Sequence, residues 1–255
     1  MPELEFVAVG DDTFADIPAP ALREARCQTC DYWERIDGGR QPPDPEATDP
    51  APMERLKRGR LLGSRRAGGP YAMVAYRSDA VERVAVGFAQ FGPLSLYPRA
   101  QSIRDRYPQL PESPAPWVIT CLQVTPSAGP DGRRADVGAA FLEAVCSELD
   151  RRGITAVEAY PETAHDPWVP SPGPASVYEA SGFERVAGDD RFPVYRRELS
   201  GETDADAWSD LIRASTPDEG DDWPLPVPVP STPDEDDFFR LPPEKPKRPN
   251  PFGDD

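Results

Sequence analysis

The stretch Trp117-Val118-Ile119-Thr120-Cys121-Leu122-Gln123-Val124, followed by Thr125-Pro126-Ser127-Ala128-Gly129-Pro130-Asp131-Gly132-Arg133-Arg134-Ala135-Asp136-Val137-Gly138, decides the fold. The first eight residues are apolar on both alternating faces, as in a central strand covered on both sides. A helix follows the second stretch. In it Leu142, Val145 and Leu149 recur at spacings of three and four and so share one face, and Gly153 ends it. Residues 154–160 form the next strand, and a strand reached through a helix runs parallel to its predecessor.

Working outward, residues 71–76 and 84–91 are β-rich runs separated by the polar Arg77-Ser78-Asp79, which reads as an antiparallel hairpin. Residues 4–9 alternate apolar and polar and suit a first strand. Helices are expected near 21–26, over 53–62 and over 100–107, the last ending at Pro108. Glycine, proline and acidic residues between 37 and 52 mark a surface loop. Beyond residue 160 come a proline-rich loop over 161–174, a short helix holding Tyr178, and a closing strand pair over 183–187 and 192–199. The expectation is an α/β fold with a mixed central sheet flanked by helices, occupying residues 1–199.

Residues 200–255 read differently. From Gly201 onward there are 15 Asp and Glu, 5 Lys and Arg, and 11 of the 34 prolines. Such a composition cannot bury enough apolar surface to offset lost chain entropy, so a disordered acidic tail is expected. Trp208, Leu211 and Ile212 have helical spacing and mark a short helix over 204–214. Ser215-Thr216-Pro217-Asp218-Glu219 recurs as Ser231-Thr232-Pro233-Asp234-Glu235, each followed by acids and then aromatics. The pair reads either as a docking motif for a protein partner or as low-complexity drift.

The formal net charge of −17 disfavours contacts with a phosphate backbone, which excludes generic nucleic-acid binding. No secretory leader or membrane span is visible. Four cysteines are too few for a disulfide scaffold at 255 residues, and a reducing cytoplasm is the expected setting. Cys27-Gln28-Thr29-Cys30 has the spacing of half a zinc site but lacks an evident second half, so buried thiols are the simpler reading. The sole histidine, His165, lies in the proline-rich loop and is expected to be incidental.

A strand, a glycine-containing basic turn and a helix together make an anion site, because free amides and the helix dipole converge there. Arg133 and Arg134 add two positive charges, expected just before the helix. An ordinary solvated turn is the bland alternative.

Two motifs then carry a resemblance. Arg133-Arg134-Ala135-Asp136-Val137-Gly138 is similar to the Gln/Arg-x-x-Gly-x-Gly/Ala cofactor loop of the GCN5-related N-acetyltransferase (GNAT) family. Tyr178-Glu179-Ala180-Ser181-Gly182-Phe183 is similar to that family's later signature. The resemblance covers most of residues 70–199. It implies acetyl-CoA as acyl donor and a small-molecule or peptide amine as acceptor, attacking the thioester directly. It also implies pantetheine contacts from Leu122, Gln123 and Val124. Pyrophosphate contacts would come from Arg133, Arg134, Ala135, Asp136, Val137, Gly138 and Ala139. By position Tyr178 would protonate the departing thiolate; packing of its helix on the sheet is the other reading.

Asp136 departs from the pattern, standing where the family's first loop glycine belongs. Its side chain and charge stand where backbone should approach the pyrophosphate; it could turn outward as the helix N-cap, which would compete with the cofactor for the same donors. Loss of the cofactor site would leave an adaptor that keeps the fold without the activity. Glu158 interrupts an otherwise apolar strand and is expected either as general base or as the partner of an arginine. Glu34, between Trp33 and Arg35, is a second candidate base.

Overall fold

The structure is a computed structural model and describes residues 3–19, 26–35, 51–63, 70–78, 83–161, 173–190 and 193–201. Among the described residues seven strands form one sheet: β1 (Glu3–Ala8), β2 (Ala72–Ser78), β3 (Arg83–Pro93), β4 (Trp117–Val124), β5 (Ala156–Ala159), β6 (Glu184–Ala187) and β7 (Val194–Glu198). Their order is β1-β2-β3-β4-β5-β7-β6. Every neighbouring pair is antiparallel except β4 and β5, which run parallel as the intervening helix requires. The helices are α1 (Ala51–Gly63), α2 (Pro98–Arg104), α3 (Asp131–Arg151) and α4 (Ala175–Ala180).

Strand alternation divides the core in two. Met73, Ala75, Ala89, Phe91, Ile119, Leu122, Val157 and Ala159 face α3 and α4. Ala72, Val74, Tyr76, Phe88, Val118, Cys121 and Tyr160 face the opposite way, under Trp33, Leu61 of α1 and Ile103 of α2. In α3 the spacing of Phe141, Leu142, Val145 and Leu149 buries all four completely. At about 1.5–3 kcal/mol for each buried side chain, this stripe outweighs any propensity term in fixing the helix. The Ile154 amide bonds back to the Leu149 carbonyl at 3.1 Å and closes the helix where Gly153 was expected to.

The structure differs from the sequence reading in three places. Strand β5 is shorter than 154–160, and α2 ends at Arg104 rather than 107. More important, α3 begins at Asp131, so Arg133, Arg134 and Asp136 lie inside the helix, not ahead of it. The reason is Pro130, extended at φ −64° and ψ 167°, which ends the preceding turn and accepts the first helical bond from the Arg134 amide at 3.0 Å. The expected helix over 21–26, the loop over 37–52, His165 and the tail with its repeats lie wholly or mostly outside the described residues. Among the described residues no helix is long and apolar enough to cross a membrane.

Candidate functional site

Strands β4 and β5 pair through only three positions, Trp117↔Val157, Val118↔Glu158 and Ile119↔Ala159. Strand β4 then runs on for five residues that β5 does not match. On its other edge it stays paired to β3, through Ala89↔Leu122, Phe88↔Gln123 and Gly87↔Val124. Parting begins beside an irregularity. Gln90 pairs with Cys121 while Phe91 pairs with Ile119, so Thr120 is an extra residue, and an extra residue bends its strand. The two parallel strands are thus no longer paired beyond Ile119 and Ala159, which makes a wedge toward their carboxyl ends, where ligands of α/β sheets bind.

The start of α3 stands next in the chain to the open end of β4. A short 3-10 turn, Pro126–Ala128, links the two. The amides of Asp131, Gly132 and Arg133 precede the first intrahelical bond and are the donors the helix leaves over. This corrects the sequence expectation. Amides from Ala135 to Ala139 belong to the helical ladder, and the amides the helix leaves over are those of residues 131–133 rather than the expected 133–139. Arg133 is exposed and Arg134 half-buried. Arg77, which sequence reasoning did not place here, donates to the Ser127 carbonyl at 2.8 Å. Three guanidinium groups thus belong to this turn and its neighbourhood.

Asp136 is exposed in the second turn of α3, and Pro130, not Asp136, is the N-cap. The expected capping role is therefore absent. Gly138, the last residue of the motif, serves packing: a Cβ there would come within 3.2 Å of Val177 Cγ1 on α4. Gly173 lies against Leu122, where a Cβ would come within 3.3 Å of the Leu122 carbonyl.

Tyr178 lies on α4 and is fully buried, edge-on to Phe183 at 5.2 Å between ring centroids and stacked near Tyr195 at 6.3 Å. Burial, then Cys121 and Cys146, pushes its phenol well above the ordinary value. The Tyr-x-x-x-Gly-Phe spacing has a structural cause of its own. Gly182 takes φ +74°, and the Phe183 amide bonds to the Tyr178 carbonyl at 3.0 Å, which terminates α4.

Glu158 is fully buried on the face opposite α3. Its Oε1 accepts from Arg196 Nη1 at 2.8 Å, and its Oε2 accepts from Arg104 Nε at 3.1 Å and Tyr160 Oη at 2.6 Å. Of the two readings the sequence left open, this is the arginine-paired one, with both oxygens hydrogen-bonded to protein donors. The Tyr160 phenol, buried and bonded to that carboxylate, is pushed well above its ordinary value.

Glu34 belongs to a second buried cluster on the same face. Lys57 Nζ donates to Glu34 Oε1 at 2.8 Å and to Gln90 Oε1 at 2.6 Å, and Gln90 Nε2 donates to Glu34 Oε1 at 3.0 Å. Burial would raise the Glu34 carboxyl, but Lys57 and the bond from Gln90 together hold it below its usual value. Burial likewise pulls on Lys57, and Glu34 with two nearby thiols outweighs it and raises the amine. Lys57 was missed because residues 53–62 read only as a short basic helix leading into the sheet. The signal was present: Lys57 sits four residues before Leu61, on the buried stripe.

Cys27, Cys30, Cys121 and Cys146 are free thiols. Burial first, then Cys30, pushes Cys27 up to about 12. Among the described residues no group of three or more His, Cys, Asp or Glu is placed to hold a metal.

No family model matches the chain, and no curated protein does. Among solved structures it is similar to a putative acetyltransferase of the GNAT family from Desulfovibrio desulfuricans. That pair shares 16% identity over 78% of this chain and 100% of the other, with a TM-score of 0.42. It is also similar to an N-acetyltransferase from Staphylococcus aureus Mu50, at 12% identity over 78% of this chain and 99% of that one, TM-score 0.40. A third similar structure is AtaTR bound with AcCoA, at 13% identity over 84% and 99% of the two chains, TM-score 0.37.

Proposed function

We propose that the chain is an acetyl-CoA-dependent N-acetyltransferase that acts on a small-molecule or peptide amine. The observation that carries this reading is the departure of β4 from β5 after Ile119, next in sequence to a helix start flanked by arginines. An extended amide-bearing chain with a diphosphate at one end matches that combination: one part needs a strand edge to pair with, the other needs amides and positive charge. Asp136 is exposed and is not the N-cap, so it does not compete for the first amides of α3, and this supports the enzyme over the adaptor.

When bound, acetyl-CoA supplies an acyl group on a thioester, open to direct attack by an amine. The residues around it have separate tasks. Asp131, Gly132 and Arg133 offer main-chain donors to a diphosphate, and the Arg133 and Arg134 side chains offset its charge. Leu122, Gln123 and Val124 lie on the stretch of β4 that β5 does not pair, along which the pantetheine arm would lie. Tyr178 keeps its proton at Oη, since burial holds the phenol neutral, and serves as hydrogen-bond donor to a departing sulfur. Glu158 is not assigned a proton-transfer role, because its oxygens are taken. The four free thiols suit a reducing cytoplasm.

Calorimetric titration tests this reading. Micromolar binding of acetyl-CoA is expected, and a chain silent at millimolar acetyl-CoA refutes it in favour of the adaptor. The double variant Arg133→Glu/Arg134→Glu is expected to weaken binding roughly ten- to hundredfold, the scale of losing charge-assisted hydrogen bonds. Unchanged affinity in that variant would remove the arginines from the site.

A further inference from the structure

The register shift that starts the wedge is surrounded by side-chain bonds. Thr120, the extra residue, donates from Oγ1 to the Gln90 carbonyl at 3.2 Å. Tyr97 Oη donates to the next carbonyl, that of Phe91, at 3.0 Å, and receives Gln90 Nε2 at 3.4 Å. Both carbonyls at the shift therefore hold a hydroxyl. Gln90 is the hub. Its side chain is 1% exposed and is fixed at both ends, Oε1 by Lys57 and Nε2 by Glu34.

A glutamine side chain in a strand is ordinarily free to rotate, and a bulge ordinarily has neighbours one residue away into which it can slip. Here the bound amide fixes the position of Gln90, and Gln90 in turn fixes Thr120 through its main chain. The ion pair is a costly means of mere stabilisation. Two buried charges of opposite sign are often replaceable by apolar side chains without loss, and Glu34 Oε2 has no hydrogen-bond partner among the described residues. What a directional pair adds over an apolar one is a single geometry.

We propose that Lys57, Glu34 and Gln90 are positioning residues. From the face opposite α3 they hold the Thr120 bulge in register, set the point at which β4 leaves β5, and so set the affinity of the wedge for its acyl donor. This rests on the functional reading above and assigns its acyl-donor site a control on the far side of the sheet. None of the three touches the donor; each acts through the course of β4.

The experiment uses the full chain and two readouts, amide hydrogen exchange and calorimetric titration with acetyl-CoA. The main variant is Lys57→Met/Glu34→Leu, which removes both charges together and so avoids stranding either. Thr120→Val is the second variant. Tyr76→Phe, which loses a 2.7 Å bond to Asp16 elsewhere on the same face, is the control for stability alone. At a temperature where all are folded, the double variant is expected to exchange the amides of residues 121–124 roughly tenfold faster and to bind acetyl-CoA roughly tenfold more weakly. Thr120→Val should show about threefold changes in both, and Tyr76→Phe neither. A folded double variant with wild-type exchange over 121–124 overturns the proposal. Wild-type affinity in that variant does so too, as does an equal effect of Tyr76→Phe. Should the wild type itself fail to bind acetyl-CoA, the functional reading falls, while the exchange measurement still decides whether the ion pair holds the bulge.

Discussion

Replacing Lys57 alone with methionine is expected to lower stability by about 3–5 kcal/mol, among the largest effects available to a single substitution here. The ammonium is buried, and its removal leaves Glu34 buried with Gln90 as its remaining donor among the described residues. Adding Glu34→Leu is expected to restore most of the loss, because the stranded charge goes with it. A two-by-two cycle of thermal or urea melts measures this, and additive losses would show that the two groups do not interact.

The same pair sets a pH window. The Glu34 carboxyl is depressed in the folded chain, so its contribution is present above the unfolded value of about 4.3 and is lost as pH falls through the lower folded value. The Lys57 amine is raised, so its contribution is present below the unfolded value of about 10.4 and is lost as pH rises through the higher folded value. Stability from this source is flat between those limits. The Lys57→Met/Glu34→Leu variant should therefore have shallower acid and alkaline limbs than the wild type in melts across pH.

Glu158→Leu is the second large effect, again about 3–5 kcal/mol. It would leave the Arg196 guanidinium, 5% exposed, without its partner on β5, and would also release Arg104 and the Tyr160 hydroxyl. Glu158 and Arg196 are cross-strand neighbours in the β5–β7 ladder, so the loss falls on the joint that holds the last two strands to the sheet. The milder Glu158→Gln separates structure from chemistry. It keeps an acceptor for one guanidinium, and should lower the melting temperature while leaving the pH dependence of acetyl transfer unchanged. A shifted pH profile would return Glu158 to the role of base.

The sheet was legible because its strands are bounded by strong local signals. Trp117–Val124 matches the apolar run residue for residue, and the three- and four-residue spacing in α3 points at the sheet as read. The start of α3 was not legible. A stretch with glycines at 129, 132 and 138 and aspartates at 131 and 136 carries weak helix propensity, and only the packing of the following stripe draws the helix back to Asp131. The Tyr178 helix and its Gly-Phe end were found by motif, and their geometry shows why the glycine is required: φ is positive at Gly182.

The polar clusters were half legible. Glu158 stood out as a charge inside an apolar strand, but whether its partner would be a substrate or an arginine depended on contacts 38 and 54 residues away. Gln90 and Thr120 are equally anomalous in their apolar runs and went unremarked, since a single uncharged polar residue is a faint signal. Arg77 reached the α3 turn only through the pairing of β2, far from it in sequence.

Hydrogen exchange with and without acetyl-CoA tests the wedge itself most directly. The account predicts that acetyl-CoA slows exchange in two separated segments at once, residues 121–124 on the β4 edge and residues 131–133 at the start of α3. Exchange that stays unchanged in both segments at saturating acetyl-CoA, or protection confined to some other surface, would contradict it.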